Sequence, residues 1–173
     1  MHTVNKKQQG FSMIEVLVSL IVIGVGMLGL SGLQIASMKG TNNAHSRNVA
    51  SMLIMGLGDK MRANPTGADG GFYDNDVNCT KNETQCRTNT FCSPEKIARL
   101  DVQEIMCGIY KSGKREGGVQ NLIPGGVLSI TCPDGCNVGN AEHTVSISWS
   151  GNAVHQDQSG DDLEYSVESI IIP

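Results

Sequence analysis

The feature that most constrains this chain is an uncharged, mostly apolar run of 23 residues between Glu15 and Lys39. As an α-helix rising about 1.5 Å per residue it would be roughly 35 Å long, enough to cross a bilayer core of about 30 Å. A buried helix of a globular domain is rarely this long and this apolar. Lys6 and Lys7, with no acidic residue before Glu15, favour a cytoplasmic N-terminal head. The sequence therefore predicts a single membrane-spanning segment followed by a translocated domain.

A secretory signal peptide is the main alternative, because basic residues also precede an apolar stretch in such peptides. Their apolar region is only about 7–15 residues long and is followed by small residues at the cleavage site. Ala36 and Ser37, near the far end of the run, resemble such a site. Glu15 argues against this alternative, since a carboxylate at the edge of the membrane interior needs a partner.

The apolar run also contains a match to the glycine pattern of dinucleotide-binding proteins, Gly24-Val25-Gly26-Met27-Leu28-Gly29. That pattern requires an acidic residue about 20 positions further on, at the end of a strand. The next acidic residue is Asp59, which comes too late. We therefore reject a nucleotide site and interpret these glycines as small residues that let helices approach closely, at the cost of a weaker helix.

The helical pattern continues beyond the apolar run. Asn64-Pro65, followed by Gly67, ends it, because the residue before a proline is disfavoured in the α region. We predict one helix from about Phe11 to Ala63, with a bend near residues 39–43. Apolar residues at helical spacing in its second half predict one buried stripe: Val49, Met52, Leu53, Leu57 and Met61.

The start of the chain, Gly10-Phe11-Ser12-Met13-Ile14-Glu15, resembles the class III signal of type IV prepilins and pseudopilins. The resemblance implies cleavage by the prepilin peptidase after Gly10 and methylation of the new N-terminal amine of Phe11. Glu15 would then act in assembly. Beside the Phe11 amine of a neighbouring subunit, its carboxylate would gain the partner that it lacks in lipid.

Further segments resemble type IV pilus minor pilins of the PilV kind. The implied fold class is α+β: a pilin fold, with a long N-terminal helical spine packed on a small antiparallel β-sheet domain with disulfides. The implied organisation is a leader peptide (1–10), a transmembrane and assembly half of the spine helix (11–38), an amphipathic half (39–64) and a periplasmic α/β globular domain (65–173). The segments that carry this resemblance are Leu28–Gln34, Lys60–Pro65, Ile97–Asp101, Leu122–Gly126 and Val145–Trp149.

The globular domain begins with a loop-like stretch rich in Gly, Asn, Asp and Thr. Ser93-Pro94-Glu95 then predicts the start of a short helix, with an N-cap serine, a proline in the first turn and an acidic residue. Its buried side is predicted to contain Ile97, Leu100, Ile105 and Ile109. Three strands are predicted at 127–132, 144–150 and 163–172, the second of which alternates apolar residues with serines. An antiparallel sheet packed on the spine is the economical architecture.

All the cysteines lie in this domain, which places them on the translocated side of the membrane segment. An even set in an oxidising compartment predicts three disulfides, whose pairing the spacing alone does not decide among 15 combinations. Cys132–Cys136 and Cys92–Cys107 are the local pairings that we favour. The full set is Cys79, Cys86, Cys92, Cys107, Cys132 and Cys136.

A zinc site is the first alternative use of these thiols. Cys132, Cys136 and His143 are ligand-type residues at short spacing, but no second close pair completes a set of four. The C-x-x-C spacing of a thiol redox site is absent from the sequence. We therefore expect neither a metal nor another cofactor.

Calcium binding and catalysis are also poorly supported. Asp74-x-Asp76-x-Asn78 begins like a calcium loop, but Cys79 stands where glycine is needed and Gln85 where the bidentate glutamate should be. Asp157, Asp161 and Asp162 are likewise interpreted as solvated acids. No catalytic triad is predicted around any histidine, and we expect no enzyme: His2, His45, His143 and His155.

The net charge of −4 disfavours direct binding to nucleic acid, which needs a basic stripe. Loss of Lys6 and Lys7 with the leader would make the mature chain more acidic still. Lys111, Lys114 and Arg115 are the only basic cluster, in a predicted turn.

The resemblance implies a minor pilin, a structural subunit of the complex that primes type IV pilus assembly and caps the pilus tip. It implies an inner-membrane protein with its globular domain in the periplasm, later carried to the extracellular pilus tip. Implied partners are other minor pilins, the major pilin, the prepilin peptidase, inner-membrane lipid and the pilus assembly machinery. Two alternatives remain at this stage: a pseudopilin of type II secretion and a tip adhesin or binding module.

Overall fold

The computed structural model describes residues 12–74, 77, 79–80, 91–133, 135–136, 139, 141–150 and 164–173. Within these ranges the chain forms four helices and five strands. The helices are α1 (Met13–Ala63), α2 (Pro65–Asp69), α3 (Pro94–Cys107) and α4 (Val119–Leu122). The strands are β1 (Ile109–Lys111), β2 (Lys114–Glu116), β3 (Val127–Thr131), β4 (His143–Ser150) and β5 (Glu164–Ile171). The result is an α+β, pilin-like fold, as the sequence predicted.

The chain divides within α1 into two compact units, one ending at Asn42 and the other beginning at Asn43. The first unit is described from residue 12 and consists of the first part of α1 alone. The second unit contains the remainder of α1 and all the other elements. The core of the protein lies in this second unit.

The second part of α1 buries one face against α3 and the sheet. The predicted stripe is correct at Leu57 and Met61, which are both fully buried, and partly correct at Val49 and Leu53, which pack against the core. It is wrong at Met52, whose side chain is 72% exposed. The buried face also includes the small residues Ser46, Ala50 and Gly58, together with Ile54.

Small residues on this face allow a close approach between α1 and β5. A side chain at Gly58 would place its Cβ 3.3 Å from Cδ1 of Ile171. Because burial here depends on space as well as on apolarity, large apolar side chains alone do not mark the buried face.

Helix α3 begins where the sequence predicted. The Ser93 hydroxyl accepts a hydrogen bond from the backbone N–H of Lys96 (3.3 Å), and Pro94 occupies the first helical position. The predicted buried side is correct at Ile105, while Ile97 and Leu100 are only half-buried. Ala98, Val102 and Cys107 supply most of the rest.

The prediction that Ile109 belongs to the buried side of this helix is wrong. Gly108 ends the helix with φ +82°, and Ile109 is 45% exposed at the start of β1. Gly108 also passes so close to Gly118 and Glu116 that a Cβ at either glycine would collide with backbone. This close approach lies at the base of the antiparallel β1–β2 hairpin. The sequence predicted the turn of this hairpin but not its two strands.

A three-stranded antiparallel sheet completes the second unit, in the order β3-β4-β5. The predicted strands agree with the observed ones to within one residue at each end. The predicted alternation of β4 is confirmed. Val145, Ile147 and Trp149 are buried in the core, whereas the intervening serines are half-buried. Trp149 also stacks on Tyr165 of β5 with ring centroids 6.1 Å apart.

Disulfides connect parts of this unit that lack extensive secondary structure. The Cys132–Cys136 pairing is confirmed, but Cys92–Cys107 is wrong, because Cys107 is bonded to Cys79 instead. The bond from Cys79 joins the end of α3 to the chain that follows α2. Cys92 is also in a disulfide, and Cys86 lies outside the described residues.

Candidate assembly segment and the polar network that ends the long helix

The first part of α1 presents apolar side chains on all sides. From Met13 to Met38 every large apolar side chain is at least half exposed, and an 18-residue window has a mean hydropathy of 2.4. Among the described residues α1 is the one helix with the length and composition needed to cross a membrane. Because exposed apolar surface of this extent is unfavourable in water, this segment requires lipid or other helices around it.

Polar hydroxyls in this segment are satisfied within the helix. The Ser19 hydroxyl donates to the carbonyl of Glu15 (2.6 Å), and the Ser31 hydroxyl donates to that of Met27 (2.9 Å). Thr41 repeats the arrangement with Ser37 at 3.0 Å. Such bonds remove the need for outside partners, which suits a helix that lies in hydrocarbon.

Glu15 is different, because its carboxylate has no ion-pair partner among the residues that the structure describes. It lies in the first turn of α1, where the backbone N–H groups of Glu15 and Val16 point to the carbonyl of Ser12 (3.0 and 3.3 Å). A carboxylate is favoured at the positive end of a helix, but that interaction alone does not replace its hydration in lipid. Glu15 is therefore an acidic side chain without a cationic partner in the described part of its own chain. The other two predicted residues of the signal, Gly10 and Phe11, lie outside the described residues.

The glycine pattern from Gly24 to Gly29 lies inside α1. A dinucleotide site needs these glycines in the turn between a strand and a helix. An added Cβ would meet nothing within 4 Å at Gly24, Gly26 or Gly29. The rejection of a nucleotide site is thus supported, and this surface is open to other helices.

At its other end, α1 enters a buried polar network that sequence analysis missed. Lys60 Nζ lies 2.8 Å from Asp101 Oδ1 and 3.0 Å from Glu104 Oε2, so one cation links α1 to two acids of α3. Tyr73, fully buried, donates its hydroxyl to Asp101 Oδ2 at 2.9 Å. Asp101 is only 7% exposed. Its carboxylate therefore depends on these contacts in place of hydrogen bonds to water.

Asn64 extends the network past the end of α1. Its side-chain amide donates to the carbonyl of Pro94 (2.9 Å) and to the hydroxyl of Tyr73 (3.4 Å). A Cβ at Gly67 would collide with this amide, so Gly67 leaves the space that Asn64 occupies. The Asn64-Pro65 pair therefore both ends α1 and connects it to the start of α3.

From the sequence, Lys60 and Asp101 were named only as parts of resembling segments and Asn64 also as the end of the long helix, whereas Tyr73 and Glu104 were not singled out. One available signal was the three-residue spacing of Asp101 and Glu104, which places two acids on one face of a predicted helix. Their partner on α1 could not be identified from the sequence, because it lies more than 40 positions away.

The network predicts that stability falls at alkaline pH. Burial raises the pKa of Tyr73, assisted by the charge of Asp101 and opposed by the hydrogen bond from Asn64. Burial alone would lower the pKa of Lys60, which lies outside the apolar half of α1, but its bonds to Asp101 and Glu104 raise it overall. Both folded-state pKa values exceed the ordinary values of 10.0 and 10.5, so the stabilisation is complete below about pH 10 and decreases above it.

The measurement is the free energy of unfolding of the full chain in detergent micelles between pH 8 and about pH 11. We expect a plateau followed by a decline that is shallower in Tyr73→Phe, because phenylalanine has no hydroxyl to ionise. An identical alkaline decline in wild type and Tyr73→Phe would contradict the assignment to Tyr73.

Two cysteine side chains and one histidine side chain lie close together elsewhere in the second unit. Cys132, Cys136 and His143 offer ligand-type atoms that all lie within 4.8 Å of one another. In the described structure the two sulfurs are joined in a disulfide. His45 lies exposed on α1, whereas His2, His155, Asp76 and the acids at 157, 161 and 162 are outside the described residues. Asp74, the described end of the calcium-like sequence, is exposed.

The pilin-like arrangement of a long helix on a small antiparallel sheet agrees with the comparison to protein families. A model described as the prokaryotic N-terminal methylation motif matches residues 5–31, and one described as type IV pilin Tt1218 matches residues 32–103. The two matches are contiguous and together support a type IV pilin subunit. Neither curated proteins nor solved structures yield a match. A pilin is a structural protein, which suggests a role other than catalysis.

Proposed function

We propose that this chain is a minor pilin of the PilV kind, a structural subunit of the complex that primes type IV pilus assembly and caps the tip. The observation that carries the proposal is the apolar half of α1, whose large side chains are all at least half exposed, with Glu15 in its first turn. This half overlaps the segment similar to the N-terminal methylation motif. The similarity of residues 32–103 to a type IV pilin favours a pilus subunit over a pseudopilin of type II secretion.

The proposed mechanism starts in the inner membrane. The prepilin peptidase cuts after Gly10, and the exposed amine of Phe11 is then methylated. Methylation of an amine keeps its positive charge, so the new N-terminus can pair with a carboxylate. The Glu15 carboxylate of one subunit forms an ion pair with the Phe11 amine of the next. This ion pair compensates both groups for the hydration that they lose.

The same scheme assigns a location to each part of the chain. The apolar half of α1 stays in the inner membrane until assembly, and the globular domain folds in the periplasm, where its disulfides form. Proposed partners are other minor pilins, the major pilin and the inner-membrane assembly machinery. After assembly the subunit resides at the extracellular tip of the pilus.

Mass spectrometry of the N-terminus, on protein extracted from membranes of the native host, tests this proposal. We expect the wild-type chain to start at Phe11 and to carry one methyl group on its amine. Gly10→Leu should abolish cleavage, because a bulky side chain at the cut site does not fit a peptidase that accepts glycine there. The variant should therefore keep the full leader and start at or near Met1.

Gly40→Leu is the matched control, since Gly40 lies in α1 well beyond the cleavage site and an added Cβ there meets nothing within 4 Å. It should be processed as the wild type is. A wild-type N-terminus at Met1, or cleavage near Ser37 with release of a soluble domain, would overturn the proposed function.

A further inference from the structure

The pairing of β3 and β4 brings a histidine and a cysteine to the same end of the sheet. Thr131, the last residue of β3, is opposite Thr144. Cys132 follows Thr131, and His143 precedes Thr144, so the antiparallel register places these two next to each other. Cys136, bonded to Cys132 across a separation of only four residues, adds a third ligand-type side chain.

The state of the His143 ring is determined by its neighbours. The ring is fully buried, and its Nδ1 lies 2.9 Å from the carbonyl oxygen of Ala141. A carbonyl only accepts hydrogen bonds, so Nδ1 is the donor in this pair and Nε2 is the ring nitrogen left for another partner. Among the described residues no group hydrogen-bonds to Nε2, although it is buried.

A buried nitrogen without a partner is unfavourable in a folded protein and calls for an explanation. In metal-binding histidines one ring nitrogen commonly donates to a carbonyl and the other binds the metal, and the Nδ1–Ala141 contact is a bond of the first kind. One imidazole nitrogen and two cysteine sulfurs within 4.8 Å of one another match the ligand types that zinc prefers.

We propose that Cys132, Cys136 and His143 form a zinc site when the Cys132–Cys136 disulfide is reduced. This end of the sheet is then closed either by the disulfide or by a Zn²⁺ ion, but never by both. Three protein ligands leave the fourth position of a tetrahedral zinc to water. The inference is independent of the proposed role in pilus assembly.

The chemistry is a two-electron exchange followed by metal binding. A dithiol reductant breaks the S–S bond, delivers two electrons and two protons to give two thiols, and itself becomes a disulfide. Zn²⁺ then displaces one proton from each thiol and binds both thiolates and Nε2. In the reverse direction a disulfide oxidant takes up two electrons and two protons to become a dithiol, the Cys132–Cys136 bond forms again and the ion is released.

Opening this disulfide disturbs the fold less than opening Cys79–Cys107 would. Stabilisation by a cross-link grows with the length of the loop that it closes, and the separations are 4 and 28 residues. The β3–β4 ladder ends at the Thr131–Thr144 pair, so Cys132 and its bond to Cys136 lie beyond the paired residues.

Cobalt titration of the full chain in detergent micelles tests the proposal. One sample is kept oxidised and the other is reduced with a phosphine, which is removed before the titration under anaerobic conditions. We expect the oxidised chain to bind no Co²⁺. The reduced chain should bind one ion per molecule, with thiolate-to-cobalt absorption in the near ultraviolet and tetrahedral bands in the visible, all lost on adding Zn²⁺.

Variants assign the signal to the three residues. The Cys132→Ser/Cys136→Ser double variant, which retains the other four thiols, should lose the absorption, and His143→Gln should weaken binding by at least about tenfold. His45→Gln is the matched control, because His45 is exposed on α1, and it should bind as the wild type does.

Fluorescence of Trp149 in β4 reports whether each reduced variant remains folded. The proposal is overturned if the reduced wild type remains folded and binds no cobalt. It is also overturned if the double cysteine variant gives the wild-type absorption, or if His143→Gln binds cobalt as tightly as His45→Gln does.

Discussion

A Glu15→Ala variant is expected to be cleaved and methylated normally but to be depleted from pili by about tenfold or more. Alanine removes the carboxylate that would pair with the Phe11 amine of the neighbouring subunit. Removal of one partner from a charge pair away from water typically costs about 2–5 kcal/mol, because the other charge is left unpaired. About 1.4 kcal/mol already corresponds to a factor of ten in an equilibrium. The measurement is the amount of this protein in sheared pili relative to the inner-membrane fraction of the same cells.

Two further variants make this result specific. Glu15→Asp keeps the charge and should assemble better than Glu15→Ala. Asp59→Ala removes an exposed carboxylate, 82% accessible, from the same helix and should assemble as the wild type does. Entry of Glu15→Ala into pili at the wild-type level would contradict the proposed role of this residue, provided that its N-terminal mass shows normal processing.

Asp101→Ala is expected to lower the free energy of unfolding by about 3 kcal/mol. The substitution breaks the ion pair with Lys60 and leaves the buried hydroxyl of Tyr73 without its carboxylate acceptor. Lys60 keeps Glu104 as a partner, which limits the loss. Denaturant unfolding of the full chain in micelles, followed by the fluorescence of Trp149, the one tryptophan, measures the change.

Asp59→Ala again provides the control, because it also removes an aspartate that pairs with a cation. Arg62 Nη1 lies 3.3 Å from Asp59 Oδ1, and this ion pair is on the surface. Its loss should therefore lower the free energy of unfolding by less than about 1 kcal/mol. Equal effects of the two substitutions would show that burial of Asp101 does not determine the strength of the network.

Local sequence signals predicted most of the secondary structure. Proline at position 65 ended α1 at Ala63, Ser93-Pro94 started α3, and alternation of apolar residues with serines predicted β4. Each of these signals acts through neighbouring residues, by restricting backbone angles, capping a helix or alternating across a strand. They therefore need no knowledge of the rest of the fold.

Predictions that depended on contacts between distant residues were less accurate. Met52 was predicted to be buried and is exposed, because the packed face of α1 includes small residues, among them Ala50 and, where β5 comes close, Gly58. The Cys92–Cys107 pairing was wrong, because the fold brings Cys79 to the end of α3. Short separation predicted Cys132–Cys136 correctly, since a short loop restricts which partners a cysteine can reach.

The apolar length of the first part of α1, the position of Glu15 in its first turn and the end of the helix at Asn64-Pro65 were all determined by the sequence alone. These properties depend on composition and on local backbone restrictions. Only the tertiary structure decided that Lys60 meets Asp101, that Tyr73 donates to the same carboxylate, and that His143 lies beside Cys132 and Cys136. Such contacts arise when separate elements pack together, and their energies depend on burial, which no local pattern specifies.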